Sequence, residues 1–280
     1  MDFYTITRDN GGVIAWTEEQ VAYIIDQYVN HNVTLKSLGK KFGCSYGTIR
    51  NCLNKQGIQS RGNKQGYPRN EMYFNQITTP EKAYWLGFFY ADGCVNSSNS
   101  EISINITDKE HVEKFQKAIG AINHHITETR DMRWEKAKTL YLFAIKDKQL
   151  HADLIKWGCV PKKTFLIEKI PNIPKDYVSH FIRGYFDGDG SLHWLKGTNN
   201  YRISFTSGSQ KFLVEILKEL NLNNINVSKT KDSNTYYFQI AGRHQVEQVL
   251  NYLYQDSTEQ MRLDRKYNTY LKCLEWAHRH

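Results

Sequence analysis

Apolar positions along the chain follow two rhythms, and the places where one gives way to the other outline its elements. Val21, Ile24, Ile25 and Tyr28 stand three to four apart behind Thr17 and Gln20, a capping-box pair, and predict an amphipathic helix. A second helix follows Thr34, with Leu35, Leu38 and Phe42 on one side and Gly43 ending it. A third starts after Ser45 as N-cap: Ile49, Cys52 and Leu53 point inward, and Thr48, Arg50, Asn51, Asn54 and Lys55 outward. Further on the period changes to two. Ile102, Ile104 and Ile106 alternate with Ser103, Asn105 and Thr107, and Ile203 and Phe205 alternate with Arg202, Ser204 and Thr206. That alternation predicts sheets with one face on helices and one open.

The second part of the chain repeats itself. Tyr84-Trp-Leu-Gly-Phe-Phe-Tyr-Ala-Asp-Gly93 matches Phe181-Ile-Arg-Gly-Tyr-Phe-Asp-Gly-Asp-Gly190 at an offset of 97. Ile102–Thr107 matches the strand from Ile203 at 101, and Thr139–Ile145 matches Thr235–Ala241 at 96. Each strand is followed by an amphipathic helix: 112–119 and 212–220, then 150–157 and 246–254. Offsets so nearly constant, in the same order, predict two copies of an α-β-β-α-β-β-α unit.

Each copy opens on a helix with small residues four apart, Gly87 with Ala91 and Gly184 with Gly188, a stripe that lets two helices approach closely. Each helix ends at a glycine, Gly93 or Gly190, expected as a left-handed cap, just after an acid, Asp92 or Asp189. A carboxylate at a helix C-terminus meets the negative end of the dipole, unfavourable by roughly 0.3–1 kcal/mol unless a cation compensates. If the stripes pair, the two acids meet, and must share a proton or bind a cation. Hard divalent ions prefer carboxylate and carbonyl oxygen, which makes Mg²⁺ the natural candidate; two such ions flanking a phosphodiester stabilise attacking water and leaving oxygen.

Charge adds a second lead. Eight basic residues and no acid lie between His31 and Asn70; of the 37 basic residues these leave 29, against 29 acidic ones. The net charge of +8 is therefore confined to the stretch holding the second and third helices, which fits a polyanionic partner, although a solvated face has the same composition. The run Arg61–Asn70, rich in Gly and basic residues, reads as a linker that can lie along phosphates. Five cysteines without a C-x-x-C pair fit a reducing, cytoplasmic compartment. No apolar stretch nears the roughly 20 residues a membrane helix needs, and neither secretion nor membrane insertion is indicated.

The segment 34–55 resembles the helix-turn-helix family: small Gly39 at the crossing, Gly43 in the turn, and Leu38, Phe42, Cys44, Ile49 and Cys52 at core positions. The resemblance implies a recognition helix for a major groove; an ordinary three-helix bundle is the alternative. Trp85-Leu-Gly-Phe-Phe-Tyr-Ala-Asp-Gly93 and Ile182-Arg-Gly-Tyr-Phe-Asp-Gly-Asp-Gly190 resemble the signature of the LAGLIDADG homing endonucleases in their single-chain, two-motif form. That resemblance implies an α+β fold of duplicated αββαββα units about a pseudo-twofold, a strand saddle over double-stranded DNA, and a monomer. It implies Asp92 and Asp189 as metal-binding catalytic acids with two or three divalent ions, and the carbonyls of Ala91 and Gly188 as further ligands. It also implies a lysine near each centre, expected at Lys163 and Lys266 with Lys162, Lys169 and Arg265 as alternatives, and cleavage leaving short 3′ overhangs. The first motif departs at Tyr90, where the second has Asp187, a position that is structural in the family.

The expected domains are 1–62, helix-turn-helix; 63–76, basic linker; 77–170 and 171–280, the two repeats. Arg61 and the outward residues of the third helix are expected on DNA, as are Ser103, Asn105, Thr107, Arg202, Ser204 and Thr206. The rival readings are a non-cleaving nucleic-acid binder, whether regulator or RNA maturase, and an intein. Against the intein stand an opening Met1-Asp2 and a closing Arg279-His280.

Overall fold

The computed structural model describes residues 3–8, 14–29, 31, 33–58, 68–131, 138–161, 163, 166–231 and 233–279, with the backbone alone at 278 and 279. The chain divides into two compact units, Met1–Tyr67 and Pro68–His280.

In the first unit a short antiparallel pair, β1 (Thr7–Arg8) and β2 (Ile14–Ala15), precedes three helices, α1 (Glu18–Val29), α2 (Leu35–Lys41) and α3 (Tyr46–Lys55). The capping box forms in both directions: Gln20 N donates to Thr17 Oγ1 and Thr17 N to Gln20 Oε1, each at 3.2 Å. Thr34 and Ser45 accept from the amides of Ser37 and Thr48 and start α2 and α3. The turn between them needs two glycines for different reasons. Gly43 has φ +63°, and a Cβ on Gly39 would come within 2.7 Å of the Cys44 carbonyl oxygen, so α2 and the start of α3 touch backbone to backbone. Ile24, Tyr28, Leu38, Phe42, Ile49, Cys52 and Leu53 form the core.

The second unit runs α4 (Pro80–Ala91), β3 (Gly93–Val95), β4 (Glu101–Ile106), α5 (Lys109–Ala118), β5 (Thr127–Asp131), β6 (Lys138–Lys146) and α6 (Lys148–Lys156). The same series follows as α7 (Val178–Asp189), β7 (Gly190–Leu195), β8 (Asn200–Ser207), α8 (Gln210–Glu219), β9 (Ser228–Lys229), β10 (Tyr236–Ala241) and α9 (Arg243–Tyr254), and α10 (Asp264–Arg279) closes the chain. The fold is α+β, with two antiparallel sheets of equivalent order, β3-β4-β6-β5 and β7-β8-β10-β9. Ile102, Ile104, Ile203 and Phe205 are fully buried under the helices, in one core shared by both repeats. No helix among the described residues is long and apolar enough to cross a membrane.

Two expectations are corrected. Residues 68–76 are not linker: Tyr73 and Phe74 sink into the core, and the Asn70 amide donates to the Ile119 carbonyl at 2.7 Å. The two aromatic side chains outweigh the polar residues around them. Nor are Gly93 and Gly190 left-handed caps, since Gly190 is extended at φ −85° and both residues begin strands. Glycine is required there by close approach: a Cβ would stand 2.6 Å from Phe89 Cα in one case and 2.6 Å from the Phe186 carbonyl oxygen in the other.

Candidate active site at the paired helix ends

α4 and α7 cross with their backbones in contact. A Cβ at Gly87 would lie 2.8 Å from the Phe181 carbonyl carbon, and one at Gly184 2.8 Å from the Phe88 nitrogen. That approach, which the small-residue stripe predicts, brings the two C-termini side by side. A Cβ on Gly188 would meet Ala91, and it would stand 3.2 Å from Asp92 Oδ2. Asp92 caps α4, its amide donating to the Phe88 carbonyl at 2.9 Å, and Asp189 is the last residue of α7. Both side chains are open to solvent on their outer side.

The crowded helix ends behind them hold both carboxyls above the usual range. Loss of solvation is the main cause at each, opposed by the charges of Lys163 and Lys266. Asp189 also feels the Asp92 charge and is pushed up to about 6. A divalent cation between the acids would relieve both penalties. Carbonyls in the last helical turn lack an intrahelical donor, so those of Ala91 and Gly188 complete an all-oxygen donor set of the kind a hard cation takes. The residues present therefore fit such an ion.

The two expected lysines occupy equivalent places. Lys163 Nζ donates to the Gly93 carbonyl and Lys266 Nζ to the Gly190 carbonyl, the latter at 2.5 Å. Lys266 also reaches the carbonyls of Phe186 and Asp187 and lies 4.9 Å from the Phe186 ring centre. Its burial, at 5% exposure, pushes the ammonium down to about 8 despite the pull of Asp187. Of the alternatives, Arg265 donates to the Asp108 carboxylate at 3.1 Å, and Lys169 borders an open groove with Lys211 and Lys218. Lys162 lies outside the described residues.

Asp187 and Tyr90, equivalent by sequence, are held in different ways. Asp187 is fully buried and accepts from Tyr254 Oη at 2.6 Å and from Tyr84 Oη and the Leu263 amide at 2.8 Å. It thereby anchors the segment that carries Lys266. A carboxylate only accepts, so the single Tyr84 proton is committed to Asp187, and His111 Nε2, 3.1 Å from that hydroxyl, is the donor to it. Burial pushes His111 down to about 3, which keeps the ring neutral. Tyr90 donates instead to the Trp157 carbonyl.

The strands after the acids carry the rest of the expected site. Gly93 faces Ile104 and Cys94 faces Ser103; Gly190 faces Phe205, Ser191 faces Ser204, and His193 faces Arg202. Asn105 and Thr107 are exposed, and Ser103, Arg202 and Thr206 are half-buried. Ser204 departs from the open-face expectation. It is 9% exposed and shares a 2.7 Å hydrogen bond with Ser191, because the adjacent strand crowds a small hydroxyl that cannot reach outward. Sequence reasoning missed Cys94, His193, Tyr237 and Gln239, which stand opposite expected residues across the register. Their signal was the same period of two. In the other unit, Arg50, Asn51, Asn54 and Lys55 are exposed and Thr48 half-buried on α3; Arg61 lies outside the described residues. Among the described residues no three His, Cys, Asp or Glu side chains group into a metal cluster, so any cation here rests on two carboxylates and main-chain oxygen.

The model of the LAGLIDADG-like domain matches residues 79–156 and 176–254, one span per repeat and together more than half of the chain. A protein named a probable translation initiation factor IF-2, from Thermococcus kodakarensis, is 30% identical over 199 residues, which are 69% of this chain and 16% of that protein. A full-length DUF199/WhiA structure from Thermatoga maritima aligns with 74% of this chain and 64% of its own at 15% identity and a TM-score of 0.44. The homing endonuclease I-WcaI, solved bound to its DNA recognition sequence, aligns with 68% of this chain and 88% of its own at 15% identity and a TM-score of 0.46. The chain thus spans less than two thirds of the length of the first two.

Proposed function

Because this chain belongs to the LAGLIDADG-like domain family, we propose that it is a site-specific, divalent-metal-dependent endonuclease of double-stranded DNA that leaves short 3′ overhangs. The observation that carries the reading is the meeting of Asp92 and Asp189 at one end of the α4–α7 pair, each beside a glycine whose carbonyl holds a lysine. A family fold alone would not require two acids in so unfavourable a place.

Asp92, Asp189 and the carbonyls of Ala91 and Gly188 would hold Mg²⁺, which would supply positive charge to offset the negative charge gained during phosphodiester hydrolysis. Asp92 and Asp189 position water near a scissile phosphate. The water gives up a proton to solvent as its oxygen forms the new bond to phosphorus, the bond to the leaving sugar oxygen breaks, and that oxygen takes up a proton from solvent. Lys163 and Lys266 place fixed positive charge where the phosphate gains negative charge. Ser103, Asn105, Thr107, Arg202 and Thr206 lie over the DNA, with Cys94, His193, Tyr237 and Gln239 beside them. The first unit acts as a helix-turn-helix whose α3 enters a major groove, adding affinity as a monomer on a long site.

Incubating supercoiled plasmids that carry DNA flanking the gene with protein and Mg²⁺ tests this directly. Conversion to linear product that stops with EDTA supports the reading; binding without a cut at any divalent ion overturns it in favour of a non-cleaving binder. Deleting residues 1–62 is expected to weaken binding and flatten its salt dependence, since each phosphate-seeking cation lost removes about 0.9 from the log-log slope. An unchanged slope would remove the first unit from the interface.

A further inference from the structure

The open faces of the two sheets carry different chemistry at matching positions. Gly93 faces Ile104 as Gly190 faces Phe205, and Ile104 faces Phe143 as Phe205 faces Phe238, so β6 and β10 align with Phe143 in the place of Phe238. Leu142 then stands where the second repeat has Tyr237, and Ala144 where it has Gln239. Across the register Leu142 faces Asn105 and Ala144 faces Ser103, which puts both on the open face, and Leu140 continues their row. All three are half-buried between strands, and none is among the residues that pack on the hydrophobic core. On β5 the row meets Thr129 and Thr127, whose side chains add two methyl groups.

In the second repeat the same face is polar. Arg202 stands between His193 and Ala241, and Ser204 between Ser191 and Gln239. Arg202 Nε is buried and has no acceptor among the described residues, a donor left for a bound group. Base edges of duplex DNA supply such an acceptor, and a duplex spanning both repeats also lies on the apolar row of the first. Along a strand, side chains of one face recur every ~6.8 Å, two steps of the roughly 3.4 Å rise between base pairs. The apolar group that a major groove presents is the thymine 5-methyl, which apolar side chains contact. A row one strand wide, bounded by Ser103 and Asn105, is too narrow for the apolar centre of a protein interface.

We propose that the first repeat reads its half of the DNA site through thymine methyl groups packed on Leu140, Leu142 and Ala144, whereas the second repeat reads its half by hydrogen bonds. The inference rests on the reading of the sheets as a DNA surface and is independent of cleavage. It makes Leu140, Leu142 and Ala144 specificity-determining residues, and it gives the two halves of the site different chemistry.

Selection of bound duplexes from a randomised pool, without Mg²⁺, yields the preferred site with no cut required. Equilibrium binding is then measured with uracil in place of thymine, a change that removes the 5-methyl and keeps the pairing with adenine. Uracil throughout one half is expected to weaken binding about fourfold for each methyl contacted, the worth of one buried carbon group, and uracil throughout the other half by less than about twofold. Leu142→Ala should weaken binding to the thymine duplex and shrink the uracil penalty in the sensitive half, a coupling between side chain and methyl that a purely structural role does not produce. Equal penalties in the two halves, no penalty in either, or a penalty that Leu142→Ala leaves whole would overturn the inference while site-specific binding stands. Failure of the selection to yield any preferred site would overturn the DNA reading, and this inference with it.

Discussion

The helices α4 and α7 descend from one pattern yet meet different demands at the residue two before the acid. In α7 that residue is Asp187, a buried carboxylate satisfied by two tyrosine hydroxyls and a main-chain amide. In α4 it is Tyr90, whose ring packs edge-on to Phe181 at 4.9 Å and whose hydroxyl reaches the Trp157 carbonyl. Both connect the motif helix to the last helix of a repeat or the chain just after it, the segment that leads to the lysine. A charged and a neutral solution thus perform one task. What stays the same in both helices, small residues at the crossing and an acid at the end, is what the close approach and the proposed chemistry need. What differs is how the surroundings are braced.

The largest expected effect leaves the halves alike. Asp92→Asn and Asp189→Asn should each reduce double-strand cleavage by about 100-fold or more, with DNA binding largely retained in a mobility-shift assay; either variant cutting both strands at the normal rate would refute the assigned roles. Next come the crossing glycines. Gly184→Ala drives a methyl into the Tyr84 and Phe88 backbone and should lower stability to urea by about 1–3 kcal/mol or more. Gly197→Ala, which points into open space, should stay within about 0.5 kcal/mol.

The next substitutions separate the two helices. Asp187→Asn confronts three donors with an amide that offers one acceptor, and should cost about 2–3 kcal/mol, while Tyr90→Phe leaves one carbonyl unmet and should cost about 1 kcal/mol. Equal losses by thermal or urea unfolding would mean the two positions are equivalent after all.

The smallest effect is that of pH. Asp189 must be ionised to hold a cation, and its carboxyl is pushed up to about 6, so cleavage should hold above pH 6 and fall below it. Without metal the sign for stability is opposite. Asp189 binds its proton more tightly folded than unfolded, so its ionisation weakens the fold as pH rises through 3.8–6, and a proton restores what the metal otherwise supplies. Lys266 is pushed down to about 8; the burden of its buried charge is full below pH 8 and lifts as pH rises toward 10.5. Mg²⁺ should therefore raise the melting temperature near pH 7.5 and much less at pH 5.

Much of this molecule was legible in the order of its residues because duplication writes each signal twice. The stripes of Gly87–Ala91 and Gly184–Gly188, the strands around Ile104 and Phe205, and the lysines after α6 and α9 were each readable from agreement between the copies. What escaped had a single occurrence or depended on distant neighbours. Tyr73 and Phe74 sit among polar residues; Phe74 meets the rings of Phe89 in α4 and Phe115 in α5, and Tyr73 packs edge-on to Phe74. Gly93 and Gly190 follow helix ends, where a left-handed cap is the common solution, but the rings and backbone of Phe89 and Phe186 impose an extended one. Ser204 alternates correctly and is nonetheless drawn to Ser191, since period two gives the face of a side chain and not its partner. The outer strands β5 and β9, polar and short, carry no apolar alternation at all.

The central claim is that Asp92 and Asp189 jointly hold a divalent cation against DNA. Anomalous diffraction from crystals of the protein with its cleavage site and Mn²⁺ tests it most directly. The account predicts manganese peaks lying between the two carboxylates and next to a phosphate of each strand. Peaks elsewhere, or a duplex seated on the sheets with no metal at those acids, would contradict it.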